Sequence, residues 1–390
     1  MKQIILQKTK EIKAEVVAIR RHLHAYPELS FNEFETSKFI QQKLTEWGIP
    51  FQNNIVKTGV VAFIEASKNK STCIALRADM DALPIQELNE VEYKSKNVGV
   101  MHACGHDVHT SILLATAKIL NEIKDQLPQS VKLIFQPGEE KLPGGAKLMI
   151  EAGVLQNPTV SQIFALHVFP ELETGKVGLK SGMYMASTDE IYITINGKGG
   201  HAAMPKQTID PIIIASNLIL ALQDIPNKIC PKEIPCVLAF GRIEGLGATN
   251  VIPDKVELQG TFRTMNEEWR KKAHEKINEI AKQIAESFGG TVNVNIANGY
   301  PFLKNDEELT EKTRLKLKQF FGEENVIDLP IRMTAEDFAF FAEKIPATFI
   351  RLGVRNESKG LMHPVHNSCF DIDEDSLVIG IQTLLTLCNK

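Results

Sequence analysis

The sequence predicts an α/β protein, a mixed sheet flanked by helices on both faces and interrupted by a smaller inserted α+β unit. Three observations carry this. Short apolar runs, TCIAL (72–76), VKLIF (131–135) and IFAL (163–166), are each bounded by turn residues, as buried strands are. Helix-like stretches such as SILLATAKILNEI separate them, and strands alternating with helices build a sheet covered on two sides. The pattern changes in the middle of the chain and returns near Arg351 and Leu352. At 390 residues the chain is also long for one core, so about two domains are expected.

Taken in order, the first helix follows from the spacing of Val16, Val17, Ile19 and Leu23. The second, FETSKFIQQKLTEWG, ends at Gly48, a natural C-terminal stop. In the middle, DEIYITING (189–197) alternates like a strand and 208–224 is helical. The longest apolar run, Ile212 to Leu222, is broken by Ser216 and Asn217 and reads as a buried helix, too short to span a bilayer. CVLAFGRIEG (236–245) and KVELQGTFRT (255–264) read as strands, EEWRKKAHEKINEIAKQIAESFG as a long amphipathic helix, and TVNVNIA as a strand. The order β-α-β-β-α-β is that of a ferredoxin-like unit. It is placed at 186–298, with 1–185 and 299–390 forming one discontinuous domain around it.

Net charge is −4, which gives no electrostatic reason to expect nucleic acid or an anionic membrane as partner. The N-terminus, MKQIILQKTKEIKAEVV, carries charges every few residues and lacks the apolar core of a secretion signal. Six cysteines spread along the chain do not form a dense disulfide framework, so a reduced, cytoplasmic protein is expected.

Chemistry concentrates where the strand runs end. TCIAL, VKLIF and IFAL lead into RADMDALP, QPGEE and HVFP, at the edge where open α/β sheets bind ligands. In MHACGHDVHT (101–110), Cys104 and His106 lie two apart, a spacing an extended loop presents well. Taken alone, the segment is equally a buried cysteine with histidines capping a helix that starts near Thr110. Glu139 and Glu140 point in different directions, so one can ligate a metal while its neighbour serves as base; an arbitrary pair would read as an exposed acidic turn, but this one sits at a strand end with PGGA following. His167 follows IFAL, and His363 and His366 stand in HPVHNS. Each reads alone as an ordinary polar residue. Together, one thiol with several imidazoles and carboxylates at strand ends reads as a metal site suited to zinc, manganese, cobalt or nickel. Asp79 and Asp81 close the first strand run. Asp81 is suited to accept the free N–H of a ligating imidazole and fix its tautomer, or else it caps a helix or turn.

With these residues in hand, the sequence resembles the aminoacylase and carboxypeptidase G-type metallopeptidases. Within them it resembles the hippurate hydrolases, bacterial N-acyl-amino-acid amidohydrolases and plant auxin-conjugate hydrolases. The matching segments are RRHLHAYPELSFNEFET, ALRADMDALPI, MHACGHDVHTSILLA, QPGEE with GGA, ALHV, GKGGHAAMP, GATNVIPD, GTFRT, AEDFAFF and HNSCFDIDE, from Arg20 to about Glu374. The resemblance implies a catalytic α/β domain and an inserted lid that dimerises. It implies two divalent ions per subunit (manganese or zinc, with cobalt or nickel as further candidates) held by Cys104, His106, Glu140, His167 and His366. His366 is preferred to His363 for its spacing from Phe370, although Asn-Ser-Cys follows where members commonly carry Ser-Pro or His-Pro. Glu139 is then the general base, and His201 approaches the substrate from the partner subunit. Asn250 and Arg263 hold its free carboxylate, a guanidinium gripping carboxylate in a fork. Arg263 could instead pair with Glu257 along its strand.

The activity implied is hydrolysis of the amide bond of small N-acyl-L-amino acids by a homodimer. A dipeptidase or carboxypeptidase using the same dinuclear site is the alternative within enzymology. A metal- or ligand-binding protein without turnover is the alternative outside it. The preferred acyl group and amino acid are not legible in the sequence.

Overall fold

The computed structural model describes residues 1–67 and 72–389 and divides into two compact units. One comprises Met1–Gly182, Lys304–Pro330 and Asp337–Lys390; the other comprises Met183–Leu303 and Ile331–Glu336.

The first unit is built on strands β1 (Phe51–Ile55), β2 (Gly59–Ile64), β3 (Thr72–Asp79), β4 (Ser130–Gln136), β5 (Thr159–Glu173) and β6 (Val177–Leu179). After the second unit, which includes β7 (Asp189–Asn196), β8 (Cys236–Glu244), β9 (Lys255–Thr264) and β10 (Thr291–Asn298), the chain returns to add β11 (Val326–Asp328) and β12 (Ala347–Arg355). These strands form one eight-stranded sheet in the order β1-β2-β4-β3-β5-β12-β6-β11. The central four, β4, β3, β5 and β12, run parallel, while β2 and β6 join them antiparallel. Every residue of β4 is buried, Lys132 included, whose amine donates to the Val154, Gln156 and Pro158 carbonyls, so the strand lacks the alternation of a half-exposed one. The chain thus has the mixed α/β architecture its sequence predicts.

Helices α1 (Lys2–Ala25), α2 (Phe34–Glu46), α3 (His106–Glu122), α4 (Gly145–Glu151), α7 (Glu307–Phe321) and α8 (Asp375–Leu387) flank this sheet. Helix α1 buries one stripe, Ile5, Ile12, Val16, Ile19 and Leu23, at the three-, four- and seven-residue spacing of a helix face. Helix α3 packs against both α1 and α8 and is buried nearly all round, from His106 through Ala117. Its apolar residues meet Leu76, Leu133, Phe135, Leu166 and Ile350 of the sheet in one core.

Two local differences from the sequence reading matter for the site. Helix α3 starts at His106, not near Thr110, because Gly105 makes the turn into it with a left-handed φ of 81°. Only glycine fits there: a Cβ would lie 2.6 Å from Val168 Cγ2. And β5 does not stop at Leu166. Its ladder with β12 continues through the pairs Arg351↔His167 and Gly353↔Phe169, so His167 sits within the strand rather than beyond it.

In the second unit, β7 (Asp189–Asn196), β8 (Cys236–Glu244), β9 (Lys255–Thr264) and β10 (Thr291–Asn298) form an antiparallel sheet in the order β8-β9-β7-β10. Helices α5 (Pro211–Leu222) and α6 (Glu267–Ser287) pack on it. Both start on clear signals. The Asp210 carboxylate accepts from the Ile212 N–H ahead of Pro211, and the Asn266 side chain accepts from the Trp269 N–H. Ile191, Ile193 and Ile195 of β7 bury against Ile214, Leu218, Trp269 and Ile277. Helix α5 departs from the buried helix expected: Ile212, Ile213 and Leu220 are exposed. The stretch Pro211–Ile229 is long and apolar enough to cross a membrane by length and composition, with one face in this core.

Candidate metal centre

Five donors from four segments of the first unit converge. Gly105 brings Cys104 and His106 against β5, next to His167. The Pro137–Gly138 turn after β4 delivers Glu139 and Glu140. A loop before α8 delivers His366, whose N–H donates to the Ala103 carbonyl at 2.7 Å and whose φ is 64°.

The Cys104 thiol lies between two imidazoles, 3.4 Å from His167 Nε2 and 3.3 Å from His366 Nε2. Glu140 Oε1 lies 3.2 Å from His366 Nε2 and 4.0 Å from His106 Nε2. The donor atoms of Cys104, His106 and His167 all lie within 4.8 Å of one another, as do those of Cys104, Glu140 and His366, and those of His106, Glu139 and Glu140. His363 is exposed and belongs to none of these groups.

Two of the three imidazoles are aimed by their other nitrogen. His106 Nδ1 is 3.1 Å from Asp81 Oδ1, and His167 Nδ1 is 2.7 Å from the Val168 carbonyl, leaving both Nε2 atoms directed into the cluster. Asp81 Oδ2 accepts from the Glu140 N–H at 3.0 Å, so one carboxylate holds a donor from each of two loops. Glu139 is buried, with Oε1 3.4 Å from the Asp337 N–H.

Two buried atoms in this cluster, His106 Nε2 and Glu140 Oε1, have no hydrogen-bond partner among the described residues. Buried polar atoms are nearly always paired, so orphans on neighbouring side chains point to a missing ligand. The electrostatics agree. Burial pushes the Cys104 thiol well above its usual range, and the Glu140 and Glu139 charges push it further. Burial would lower the His106 pKa, yet Asp79, Asp81 and Glu140 raise it to about 10. Negative charge is in excess and is relieved by cations. Neighbouring donors of one tetrahedral ion, with bonds of about 2.0–2.3 Å, are about 3.3–3.6 Å apart, the spacing found around Cys104. The residues present fit divalent metal.

Asp79 and His109 also lie close to His106, but their atoms are engaged elsewhere. His109 Nδ1 is 2.5 Å from Asp79 Oδ1, and its Nε2 accepts from the Val168 N–H at 2.9 Å. The Arg77 guanidinium takes Asp79 Oδ2 at 2.6 Å. The sequence reading gave no role to His109, Arg77, Gln136 or Asp337, although ALRADMDALPI and AEDFAFF contain two of them, Arg77 and Asp337.

The remaining selected residues lie in the second unit. Residues Gly200–His201 pair antiparallel with Val251–Ile252, opposing His201 to Val251. The Asn250 carbonyl accepts from the Ala202 N–H at 3.0 Å. His201 is exposed, and its Nδ1 accepts from the Ala203 N–H at 3.1 Å, which leaves the proton on Nε2. Arg263 Nη1 donates to the Met333 carbonyl at 3.1 Å, and burial lowers the guanidinium pKa. It does not pair with Glu257, whose carboxylate takes Lys255 at 2.6 Å.

The model of peptidase family M20/M25/M40 matches residues 75–390. The chain belongs to that family. An N-acetyl-L-cysteine deacetylase of Bacillus subtilis is 41% identical over 94% of this M20 chain and 86% of its own length. Thermostable carboxypeptidase 1 of Saccharolobus solfataricus is 39% identical over 95% of this chain and 94% of its own. Among solved structures, a Bacillus subtilis protein described as a dinuclear metal binding peptidase of the M20 family superposes with a TM-score of 0.82 at 35% identity. That match covers 97% of this chain and 98% of the other. Metal-dependent amide hydrolysis is the chemistry of this family.

Proposed function

We propose that this chain hydrolyses the amide bond of N-acyl-L-amino acids, releasing a carboxylic acid and a free amino acid, with two divalent cations held by Cys104, His106, Glu140, His167 and His366. The observation that carries the reading is the convergence of these donors around two orphaned buried atoms, with the Glu139 carboxylate beside them. Two donor triads that share the Cys104 thiol support two ions rather than one. The N-acyl substrate class is supported by the 41% identical deacetylase.

When bound, the cations polarise the scissile carbonyl and acidify the attacking water. Glu139 takes a proton from that water as the C–O bond forms. It returns the proton to the amide nitrogen as the C–N bond breaks, so one carboxylate serves as base and then acid. Asp81 keeps the His106 imidazole in the tautomer that offers Nε2. His201, carrying its proton on Nε2, donates to the oxyanion of the tetrahedral intermediate, the step where preorganised donors contribute most. Asn250 and Arg263 hold the substrate carboxylate.

A homodimer is part of the reading, formed through the second unit acting as a lid. Support comes from Ile212, Ile213 and Leu220 exposed on α5, and from β8 at the edge of its sheet with Ile243 exposed. In this reading His201 serves the centre of the neighbouring copy. The net charge of −4 and the absence of any disulfide among the described cysteines support a small-molecule substrate and a cytoplasmic setting, without nucleic acid or membrane partners.

The test is metal analysis of the purified protein with a panel of acetyl-, benzoyl- and indoleacetyl-amino acids beside dipeptides. Hydrolysis of acyl-amino acids that disappears with chelator and returns with manganese or zinc is the expected result. Cleavage of dipeptides alone would transfer the assignment to the carboxypeptidase reading, which the 39% identical relative favours. Metal binding without turnover of either class would remove the enzymatic reading.

A further inference from the structure

The segment from Glu28 to Glu33 lies between helices α1 and α2, distant in sequence from every proposed ligand, yet it touches both turns that carry the acidic groups of the centre. Its Ser30 hydroxyl donates to Asp81 Oδ2 at 2.6 Å, the oxygen that also accepts the Glu140 N–H. The Glu28 carbonyl accepts from the Ala82 N–H at 2.8 Å, fixing the backbone next to Asp81. Glu33 is fully buried and spends both oxygens. Oε1 accepts from the N–H groups of Phe31 at 2.8 Å and Gly138 at 2.9 Å; Oε2 accepts from the Thr58 hydroxyl at 2.7 Å.

The Gly138 contact is the decisive one. This residue turns the chain from β4 into the acidic pair with a left-handed φ of 63°, and a Cβ there would lie 2.4 Å from Phe31 Cζ. The Phe31 ring therefore lies against the glycine's open face while Glu33 holds its N–H. Phe31 itself has a φ of 63°, a conformation bulky residues rarely adopt and keep only where their surroundings impose it. A buried carboxylate, a strained aromatic and a glycine thus interlock one residue before Glu139.

We infer that Glu33, with Ser30 and Phe31, is a positioning element that sets where Glu139 and Glu140 stand relative to His106, although it touches neither metal nor substrate. The inference rests on the proposed amidohydrolase reading of the centre. Glu139 must meet a water within hydrogen-bond reach, and a misplacement of about 1 Å at a reacting group costs on the order of 100-fold in rate. Of the two carboxylates, Glu140 has its N–H held by Asp81, and Ser30 in turn holds Asp81. The turn preceding the pair is held by Glu33.

The test compares Glu33→Ala, Glu33→Asp and Glu33→Gln in the cobalt(II)-loaded full-length protein. The readouts are the visible cobalt absorption spectrum, metal affinity by competition with a chelator, and kcat and KM on an N-acyl amino acid. Glutamine keeps the oxygen that accepts from Phe31 and Gly138, and its amide can donate to the Thr58 hydroxyl. It should therefore return the wild-type spectrum, with kcat within about fivefold. Aspartate is one methylene short of Gly138, and alanine offers no acceptor. Both should shift the cobalt bands, weaken metal binding about 10–100-fold and lower kcat about 100-fold with KM nearly unchanged. Should the alanine variant fail to fold, the aspartate variant against glutamine decides. Wild-type spectrum and kcat in Glu33→Asp would overturn the inference while leaving the proposed function intact. A wild-type protein that binds no cobalt, or binds it and hydrolyses no acyl amino acid, would instead remove the reading on which it rests.

Discussion

Two polar clusters lie side by side where the parallel strands of the first unit end, one wholly buried and one open to solvent at His366. In one, Arg77 Nε donates to Gln136 Oε1 at 2.9 Å, and its two terminal nitrogens take Asp79 and Asp337. The Gln136 amide and the Ala146 N–H complete Asp337, and His109 completes Asp79. In the other, Cys104, His106, Glu140, His167 and His366 crowd together, and His106 Nε2 and Glu140 Oε1 make no hydrogen bond among the described residues. His106 and His109 sit one helical turn apart on α3. His109 has both nitrogens committed and His106 only one. Burial of polar groups alone does not distinguish a binding centre from scaffolding. What distinguishes the second cluster is that thiol, imidazole and carboxylate donor atoms stand within 4.8 Å of one another while two of them make no hydrogen bond among the described residues.

The comparison can be broken in several ways. Glu139→Gln should lower kcat about 100- to 10,000-fold with metal content unchanged, measured by steady-state kinetics beside elemental analysis; near-normal turnover would remove Glu139 from the base role. In the closed cluster, Arg77→Ala should cost about 3–5 kcal/mol in denaturant unfolding, because it strands Asp79 and Asp337 without their cation. A loss below about 1 kcal/mol would mean the network is not closed as described. Chelation should act on the open cluster alone. Stripping ions present at about 100 times their Kd removes about 2.7 kcal/mol of stability, readable as a lower Tm that added metal restores. At the small end, His363→Ala should shift stability by no more than about 0.5 kcal/mol, as exposed substitutions do, and keep full metal content. His366→Ala should lower that content; equal behaviour of the two would reopen the choice between them.

Much of this was legible in the sequence. Continuous apolar runs mark strands buried on both faces, and those runs located β3, β4 and the core of β5. They did not show where β5 ends, because the strand continues into HVFPELE for as long as β12 runs beside it. The start of α3 was missed for a different reason. No capping side chain precedes it; a left-handed glycine, fixed by Val168 across the fold, opens the helix at His106. Helix α5 is apolar on nearly every face, so its composition could not tell a buried helix from one with an exposed side. The closed network and the Glu33 brace were invisible for the most general reason. Gly138 lies 105 positions from Glu33, and Arg77 lies 260 from Asp337, so no local pattern records that they meet.

The proposed ligands are not equally sheltered. Cys104, His106 and His167 are each at most 7% exposed, whereas the His366 side chain is 52% exposed. Ion exchange should therefore begin at that outer imidazole, and the lifetime of the loaded state becomes a property of one loop. Because His366 also holds an unusual backbone angle, pinned by its N–H to Ala103, the residue that closes the cage doubles as its latch.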